Sequence, residues 1–440
     1  MKSPAWYEPY AGLPMAVEVL FWCILAITAS SLLSVVVLRI NAGRVRRRSM
    51  PEVDESEFLW VFMVPALNEE VTIADSVARL RAVQATHKVI LVIDDGSDDG
   101  TPEVLRDLAD RDLSVLRRDL PDARRGKAAA LNAAWRHTHD VVLTQSPHDW
   151  PTDRVVVVVV DADGRLSVDA PQHFARHFVD ERMAGVQSRV RIYNRRGWLT
   201  WAQDVEFAVF GAVYQLGRTA WGTANMGGNG QANRLAALDE VAVDEGPWRH
   251  RLTEDQDIGV RLLQAGWRGA QELNATVEQQ GVSSLRRLYR QRTRWAQGAW
   301  EAVGLIGDTG RARVSPIARM DMAYYLITPA LQLLTGSALV GAVVLAIFDD
   351  LPFWRGTWPM LVFYLLLSFG PGLLGLLTRG SGLRGVVVAV LCVLPYTVYS
   401  WLIFPVLVRG LLRMASGRST WAKTAREPIE QQLDAVVDDY

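Results

Sequence analysis

Apolar and polar positions divide the chain into three stretches. Residues 15–40 form an apolar run broken only by Glu18, a few small polar residues and, at its end, Arg39. About 20 apolar residues span a bilayer as a helix, so a membrane-spanning helix is expected there. The run is too long for a signal peptide, and its charges follow it instead of preceding it. Three further runs, 322–348, 358–377 and 386–408, lie towards the end of the chain. Pro329 and Gly336 in the first, and Pro395 and Pro405 in the last, leave open whether one of them is interfacial or re-entrant.

Between the apolar ends the pattern changes to short apolar runs alternating with helical periodicity. The runs are 58–64, stopped by Pro65; 89–93, stopped by Asp94-Asp95-Gly96-Ser97; the short pair Val115-Leu116; and six valines at 155–160, stopped by Asp161-Ala162-Asp163. Helical spacing is expected at 70–83, where Ile73, Val77 and Leu80 share a face, and at 101–111, 127–138 and 258–265. Strands alternating with amphipathic helices predict a parallel sheet covered on both faces. In such sheets the ligand site lies beyond the carboxyl ends of the strands. Those ends are where the acidic loops fall.

Composition sharpens this picture. Half of the 440 residues are hydrophobic and 22% are charged, with a mean hydropathy of +0.08. That balance fits a soluble domain joined to membrane segments. The net charge of −1 lacks the basic excess of a nucleic-acid-binding surface, so no nucleic-acid partner is expected. Two cysteines, Cys23 and Cys392, exclude a disulfide framework and a Cys-rich zinc site. Arg39, Arg44, Arg46, Arg47 and Arg48 follow the first run, and Arg311, Arg313 and Arg319 precede the second. By the positive-inside rule the middle of the chain is cytosolic. Three simple crossings would then put the C-terminus outside, whereas Arg409, Arg413, Arg418, Lys423 and Arg426 argue for inside. The expected division is an anchor and basic juxtamembrane segment at 1–49, a cytosolic domain at 50–315, interfacial or transmembrane helices at 316–410, and a basic then acidic tail at 411–440.

The strand-end loops carry the chemistry. Asp161 and Asp163 alternate along an extended chain and can face one site. Their hard oxygen ligands suit Mg2+ or Mn2+, or they are simply a polar loop. Asp94-Asp95-Gly96-Ser97 is either a turn with a helix cap or a set of acceptors for a ribose or nucleobase edge. Pro65-Ala66-Leu67-Asn68-Glu69 carries the same two readings. Arg124-Arg125-Gly126-Lys127 either holds phosphate at a helix N-terminus or is a solvated basic turn. Thr253-Glu254-Asp255, ahead of the helix at 258–265, either caps that helix or supplies a general base. Gln291-Arg-Thr-Arg294-Trp295 lies in a basic helical stretch, with Arg286, Arg287 and Arg290. It either meets anionic lipid or places a guanidinium on a diphosphate and an indole on a sugar.

Taken in order, these residues resemble the membrane-embedded family 2 glycosyltransferases, which include cellulose, hyaluronan and poly-N-acetylglucosamine synthases and related lipid glycosyltransferases. The resemblance runs from about Phe58 to Glu301. It passes through Pro65, Asn68 and Glu69, the Asp-Asp-Gly-Ser turn, and Gly126-Lys127 with Ala130-Leu131-Asn132. It continues through Asp161-Ala-Asp163, Gly228-Asn-Gly230 with Arg234, Thr253-Glu-Asp255 and Gln291-x-x-Arg294-Trp295. The residues 421–426 are similar to the cytosolic tail of some members. The loop Gly-Asn-Gly-Gln-Ala-Asn-Arg departs from the small and aromatic residues of many polysaccharide synthases.

The resemblance implies an α/β fold: a GT-A (nucleotide-diphospho-sugar transferase) domain on the cytosolic face of the cell membrane, with flanking transmembrane helices and contacts to membrane lipids. Asp95, with Asp94 and Glu69, would hold the uridine of a UDP-sugar donor, with Lys127 near the donor. Asp163, with Asp161, would bind Mg2+ or Mn2+. Asp255, beside Glu254, would be the base in an inverting transfer. Arg294 would face the departing diphosphate, and Trp295, near Gln291, would line the acceptor site. The acceptor implied is a growing β-linked glycan in a processive synthase; the alternative is a membrane lipid such as diacylglycerol.

Overall fold

The computed structural model describes residues 15–109, 112–348, 365, 369–370, 372–377 and 382–417. Most of the run expected at 358–377, and the tail beyond residue 417, lie outside the described residues. Eight strands make one sheet: β1 (Leu59–Ala66), β2 (Lys88–Asp94), β3 (Leu113–Arg117), β4 (Val155–Val159), β5 (Arg165–Leu166), β6 (Met183–Ile192), β7 (Gln231–Arg234) and β8 (Arg268–Gln279). The helices of the first half are α1 (Met15–Arg46), α2 (Ile73–Ala82), α3 (Thr101–Asp107), α4 (Lys127–His137), α5 (Ala170–Phe178), α6 (Trp198–Val209), α7 (Leu216–Thr219) and α8 (Leu235–Glu240). Then come α9 (Glu254–Ala265), α10 (Leu285–Ala302), α11 (Ile306–Thr309), α12 (Pro316–Phe348), α13 (Gly382–Ser400) and α14 (Ile403–Ala415).

The sheet order is β3-β2-β1-β4-β7-β6-β8-β5. The expected parallel arrangement holds for β3, β2, β1 and β4. It fails at β7, which runs antiparallel to both β4 and β6, and at β5, antiparallel to β8, whereas β6 and β8 pair in parallel. The reason lies in the Gly-rich turn before β7. Gly230 donates its N–H to the Val159 carbonyl at 2.9 Å, so the chain arrives at the carboxyl end of β4 and can only run back along it. Gly228 and Gly230 sit at φ 83° and 70°, a region that L side chains rarely enter.

Period-2 alternation sends β1 to two cores. Trp60, Phe62 and Val64 pack with Ile73, Val77 and Leu80 of α2 and Phe174 and Phe178 of α5. Val61 and Met63 pack with Leu131 of α4, Leu238 of α8 and Ile258 of α9. All five valines of β4 are buried, and each such side chain taken from water stabilises by about 1.5–3 kcal/mol. Pro65 does not end β1, which continues to Ala66. The pairing with β4 stops at Met63 while that with β2 runs on to Asp94, so the proline lies where one flank of the strand is already released.

Two stretches, Glu18–Arg46 and Gly382–Ala415, are long and apolar enough to cross a membrane. Helix α12 runs unbroken through Pro329. The run at 386–408 splits into α13 and α14, with the break just before Pro405, where a proline disrupts the preceding turn. These helices dock on the catalytic domain. Leu38 of α1 is fully buried, its backbone pressed on Gly217 of α7 where any Cβ would collide. Gly410 of α14 lies against the backbone of Ala296 and Gln297 in α10.

Candidate active site

The ends of β1 and β2 form one knitted wall. Asp94 pairs with Arg117 and accepts the Ser97 N–H at 3.0 Å. Buried Asp95 pairs with Arg118 at 2.5 Å. Burial pushes the Asp95 carboxyl above its usual range, and Arg118 works against that shift. Asn68, in the left-handed region at φ 55°, donates to Asp98 at 2.6 Å and accepts the Asp98 N–H at 3.0 Å. The Glu69 carboxylate accepts from Thr72 at 2.9 Å, and its N–H donates to Thr101 at 2.8 Å. The expected nucleotide-binding residues therefore stand together. Part of their role is to lock the Pro-x-x-Asn-Glu loop to the Asp-Asp-Gly-Ser loop.

At the centre, Lys127 begins α4 after Gly126, whose φ is 99°. Its Nζ lies 2.6 Å from Asp161 Oδ1 and 3.7 Å from Glu254 Oε1. Burial opposes the ammonium charge, but Asp161, Glu254 and Asp255 outweigh it and hold its pKa above the ordinary lysine value. Glu254 is pushed up to about 7, first by burial and then by Asp255, with Lys127 pulling the other way. Asp255 is raised too, by burial and by Asp161, again against Lys127. One cation thus unites two acidic motifs from distant parts of the chain.

Glu254 and Asp255 do not precede the helix, as the sequence suggested; they form the first turn of α9 after Thr253. Carboxylates in a first turn are favoured by the helix dipole. The close approach of Gly298 in α10 to the Thr253 side chain sets this turn, since a Cβ there would overlap it. Gly228 serves the same end, because a Cβ at that position would come within 2.9 Å of Asp255 Oδ2.

Asp161 and Asp163 follow β4 on a turn closed by the Gly164 N–H to the Asp161 carbonyl at 2.7 Å. Asn229 straps this turn. Its Oδ1 accepts the Asp161 N–H at 3.1 Å, and its Nδ2 donates to Gln279 at 3.0 Å. Gln187 holds the strap by donating to the Asn229 carbonyl at 2.7 Å. Asp163 is buried and accepts the Gln280 N–H at 3.3 Å. Two adjacent oxygen donors fit Mg2+ or Mn2+, which commonly share protein carboxylates with phosphate oxygens and water. Among the described residues no three His, Cys, Asp or Glu side chains gather into a larger metal cluster.

Arg294 is near enough to Glu254 to favour its charged form. Trp295 lies edge-on to Phe207 at 6.2 Å, and Gln291 is half-buried on the same helix. Other residues face elsewhere. Arg124 donates to the Gly96 carbonyl and pairs with Asp98, and Arg125 pairs with Glu245. Lys127 is thus the member of that basic turn that meets Asp161 and Glu254. Arg234 is a buried staple, donating to the carbonyls of Met183, Asp153, Phe178 and Asp180. Arg117, Arg118 and Gln187 were not expected from the sequence. The first two could have been found as basic residues at the end of a strand flanking two acidic ends.

Similar proteins have known activities. A β-monoglucosyldiacylglycerol synthase from Synechocystis sp. is 31% identical over 245 residues, 54% of this chain and 47% of that protein. A poly-β-1,6-N-acetyl-D-glucosamine synthase from Staphylococcus aureus is 30% identical over 254 residues, 57% of each chain. The matched region is about half the length of these curated relatives. A mannosyltransferase from Pyrobaculum calidifontis, solved with GDP-Man and Mn2+, superposes with a TM-score of 0.58 at 18% identity, covering 91% of this chain and 100% of that one. The fold is GT-A-like, an α/β nucleotide-sugar transferase with a mixed sheet. Residues 60–298, more than half of the chain and reaching from β1 into α10, match the glycosyltransferase like family 2 profile, and the chain belongs to that family of enzymes.

Proposed function

We propose that the protein is an inverting, metal-dependent glycosyltransferase that moves a sugar from a UDP-sugar to an acceptor hydroxyl at the membrane. The observation that carries the reading is Lys127, whose ammonium lies against both Asp161 and Glu254. It brings the donor-side carboxylates and the expected base into one site. Asp95 and its neighbours wall the nucleotide side. Asp161 and Asp163 would hold Mg2+ or Mn2+, whose charge would offset that of the diphosphate.

Asp255 accepts the proton of the attacking hydroxyl. The acceptor oxygen bonds to the anomeric carbon as the carbon–oxygen bond to the diphosphate breaks, and the electron pair leaves with UDP. Lys127 and Arg294 favour the charge that develops there, a form of preorganised electrostatic catalysis. A single displacement of this kind converts an α-linked donor into a β-linked product.

For the acceptor, the Gln291, Arg294 and Trp295 motif supports a growing β-linked glycan. The glucolipid synthases among the relatives support a second reading, transfer to a lipid such as diacylglycerol. Purified protein in detergent, given Mn2+ or Mg2+ and a panel of UDP-sugars, should release UDP with one donor. A carbohydrate ladder would establish the polymer, and a single-sugar lipid formed on added diacylglycerol would establish the glycolipid. Turnover with GDP-mannose and with no UDP-sugar would overturn the donor assignment.

A further inference from the structure

A polar cluster lies outside the group around Lys127, where α6, α10 and α13 meet; its Glu206 is half-buried. Glu206 of α6 accepts two hydrogen bonds on one oxygen. Arg292 Nη2 donates to Oε2 at 2.7 Å, and the Tyr399 hydroxyl donates to the same atom at 2.7 Å. Arg292 Nη2 also reaches the Tyr399 oxygen at 3.3 Å, which closes a triangle. Arg292 and Tyr399 are buried, and Trp198 packs edge-on against Tyr399 at 6.3 Å. Burial of a charged pair is weak evidence for stability by itself. A different role for this cluster is visible on the other face of the guanidinium.

Arg292 and Trp295 stand three residues apart on α10, so their side chains are neighbours on one helix face. The guanidinium carbon lies 4.1 Å from the Trp295 ring centroid and 5.8 Å from that of Phe207. Phe207 meets the indole edge-on, with an interplanar angle of 72°. The indole is therefore held by a cation over one face and a phenyl ring at its side. Glu206, adjacent to Phe207 in sequence, fixes the cation. Arg292 directs Nη2 to both Glu206 and Tyr399. We infer that Arg292 is a positioning residue for Trp295, and that the apolar helix α13, through Tyr399, sets part of the acceptor-site geometry. This rests on the reading of Trp295 as an acceptor-lining residue.

Tyr399→Phe removes one donor to Glu206 and keeps the ring. Arg292→Lys keeps the charge but loses the planar fork that can stack on the indole and reach two oxygens at once. The experiment is 19F NMR of the full chain labelled with 5-fluorotryptophan in detergent, the Trp295 line being assigned with Trp295→Phe. Both variants should shift or broaden that line and leave the lines of Trp60 and Trp248, buried in the catalytic core, in place. A Trp295 line unmoved in both variants overturns the inference whatever the activity.

The kinetic readout uses UDP-glucose with diacylglycerol in mixed micelles. Tyr399→Phe should raise the acceptor KM roughly 2- to 10-fold, the fold-change a contact of this kind is worth, with the donor KM within about twofold of the parent value. Donor and acceptor KM rising together, or an unchanged acceptor KM in a variant whose Trp295 line has moved, overturns the acceptor-positioning role. An inactive wild-type protein overturns the diacylglycerol reading alone, and the NMR lines still decide this one.

Discussion

The donor and acceptor sides of the sheet are built in different ways. On the proposed donor side, β1, β2, β3 and β4 are parallel, and the acidic end of β2 is held from the end of the adjacent strand, Asp94 by Arg117 and Asp95 by Arg118. On the proposed acceptor side, β7 runs against both of its neighbours, and the residues that meet there come from remote parts of the chain. Glu206, Arg292 and Tyr399 converge from three helices. The wall at the ends of β1 and β2 is a local construction. The Glu206, Arg292 and Tyr399 cluster exists only once the apolar helix α13 has docked on α6 and α10.

This contrast can be broken experimentally. The largest effect is expected where the two sides meet. Asp255→Asn should lower kcat by about 10²- to 10⁴-fold, the range for loss of a general base, while calorimetric binding of the UDP-sugar stays within about twofold. Activity within tenfold of the parent would remove Asp255 as the base. Lys127→Met comes next. It should raise the donor KM by roughly 10- to 100-fold, since a buried charge-assisted contact of about 1.5–3 kcal/mol is lost. Without the cation Glu254 and Asp255 hold their protons more tightly, so the acid limb of the kcat/KM profile should move to higher pH. A limb that stays in place would show that Lys127 does not govern the base.

The smallest effect lies in the scaffold beneath the acceptor side. Glu272 of β8 is 2.9 Å from His177 of α5. Burial raises the Glu272 pKa, but hydrogen bonds from His177 and the Asn274 N–H outweigh it and leave the carboxyl below its ordinary value of 4.5. A depressed folded-state pKa contributes stability that is present above the ordinary value and lost as pH falls through the folded one. Thermal melts below pH 4.5 should therefore be steeper in pH for the parent than for Glu272→Gln. Equal slopes would count against the pair.

What could be read from the sequence follows the same division. The valine run, the acidic stops and Lys127 after a glycine are local patterns, and they lead directly to β4, the Asp161 turn and the start of α4. Beyond β4 periodicity has little to say. Which way β7 runs depends on where the Gly228 turn delivers it, and a strand of four residues has no pattern of its own. Arg234 stands in the sequence only as part of the Gly228-Asn-Gly230 motif and proves to be a staple for four carbonyls, because its partners belong to β6, the segment before β4 and the end of α5 and its following loop. Asn229 reads as a loop residue and proves to be the strap for Asp161. In each case the deciding contact is with a residue far away in sequence.

The contact between Leu38 and Gly217 has a mechanical consequence. Helix α1 has 32 residues and at 1.5 Å per residue is about 48 Å long, whereas a hydrocarbon core is about 30 Å thick. As a membrane-crossing helix it has a surplus of several turns, and the end with Val35, Leu38 and Ala42 is buried. In a membrane-crossing placement the helix would act as a strut pinned to α7. The domain would then not swing on a tether, the reacting carbon would be held at a set height above the lipid, and any acceptor drawn from the bilayer would have to rise by that same distance to be used.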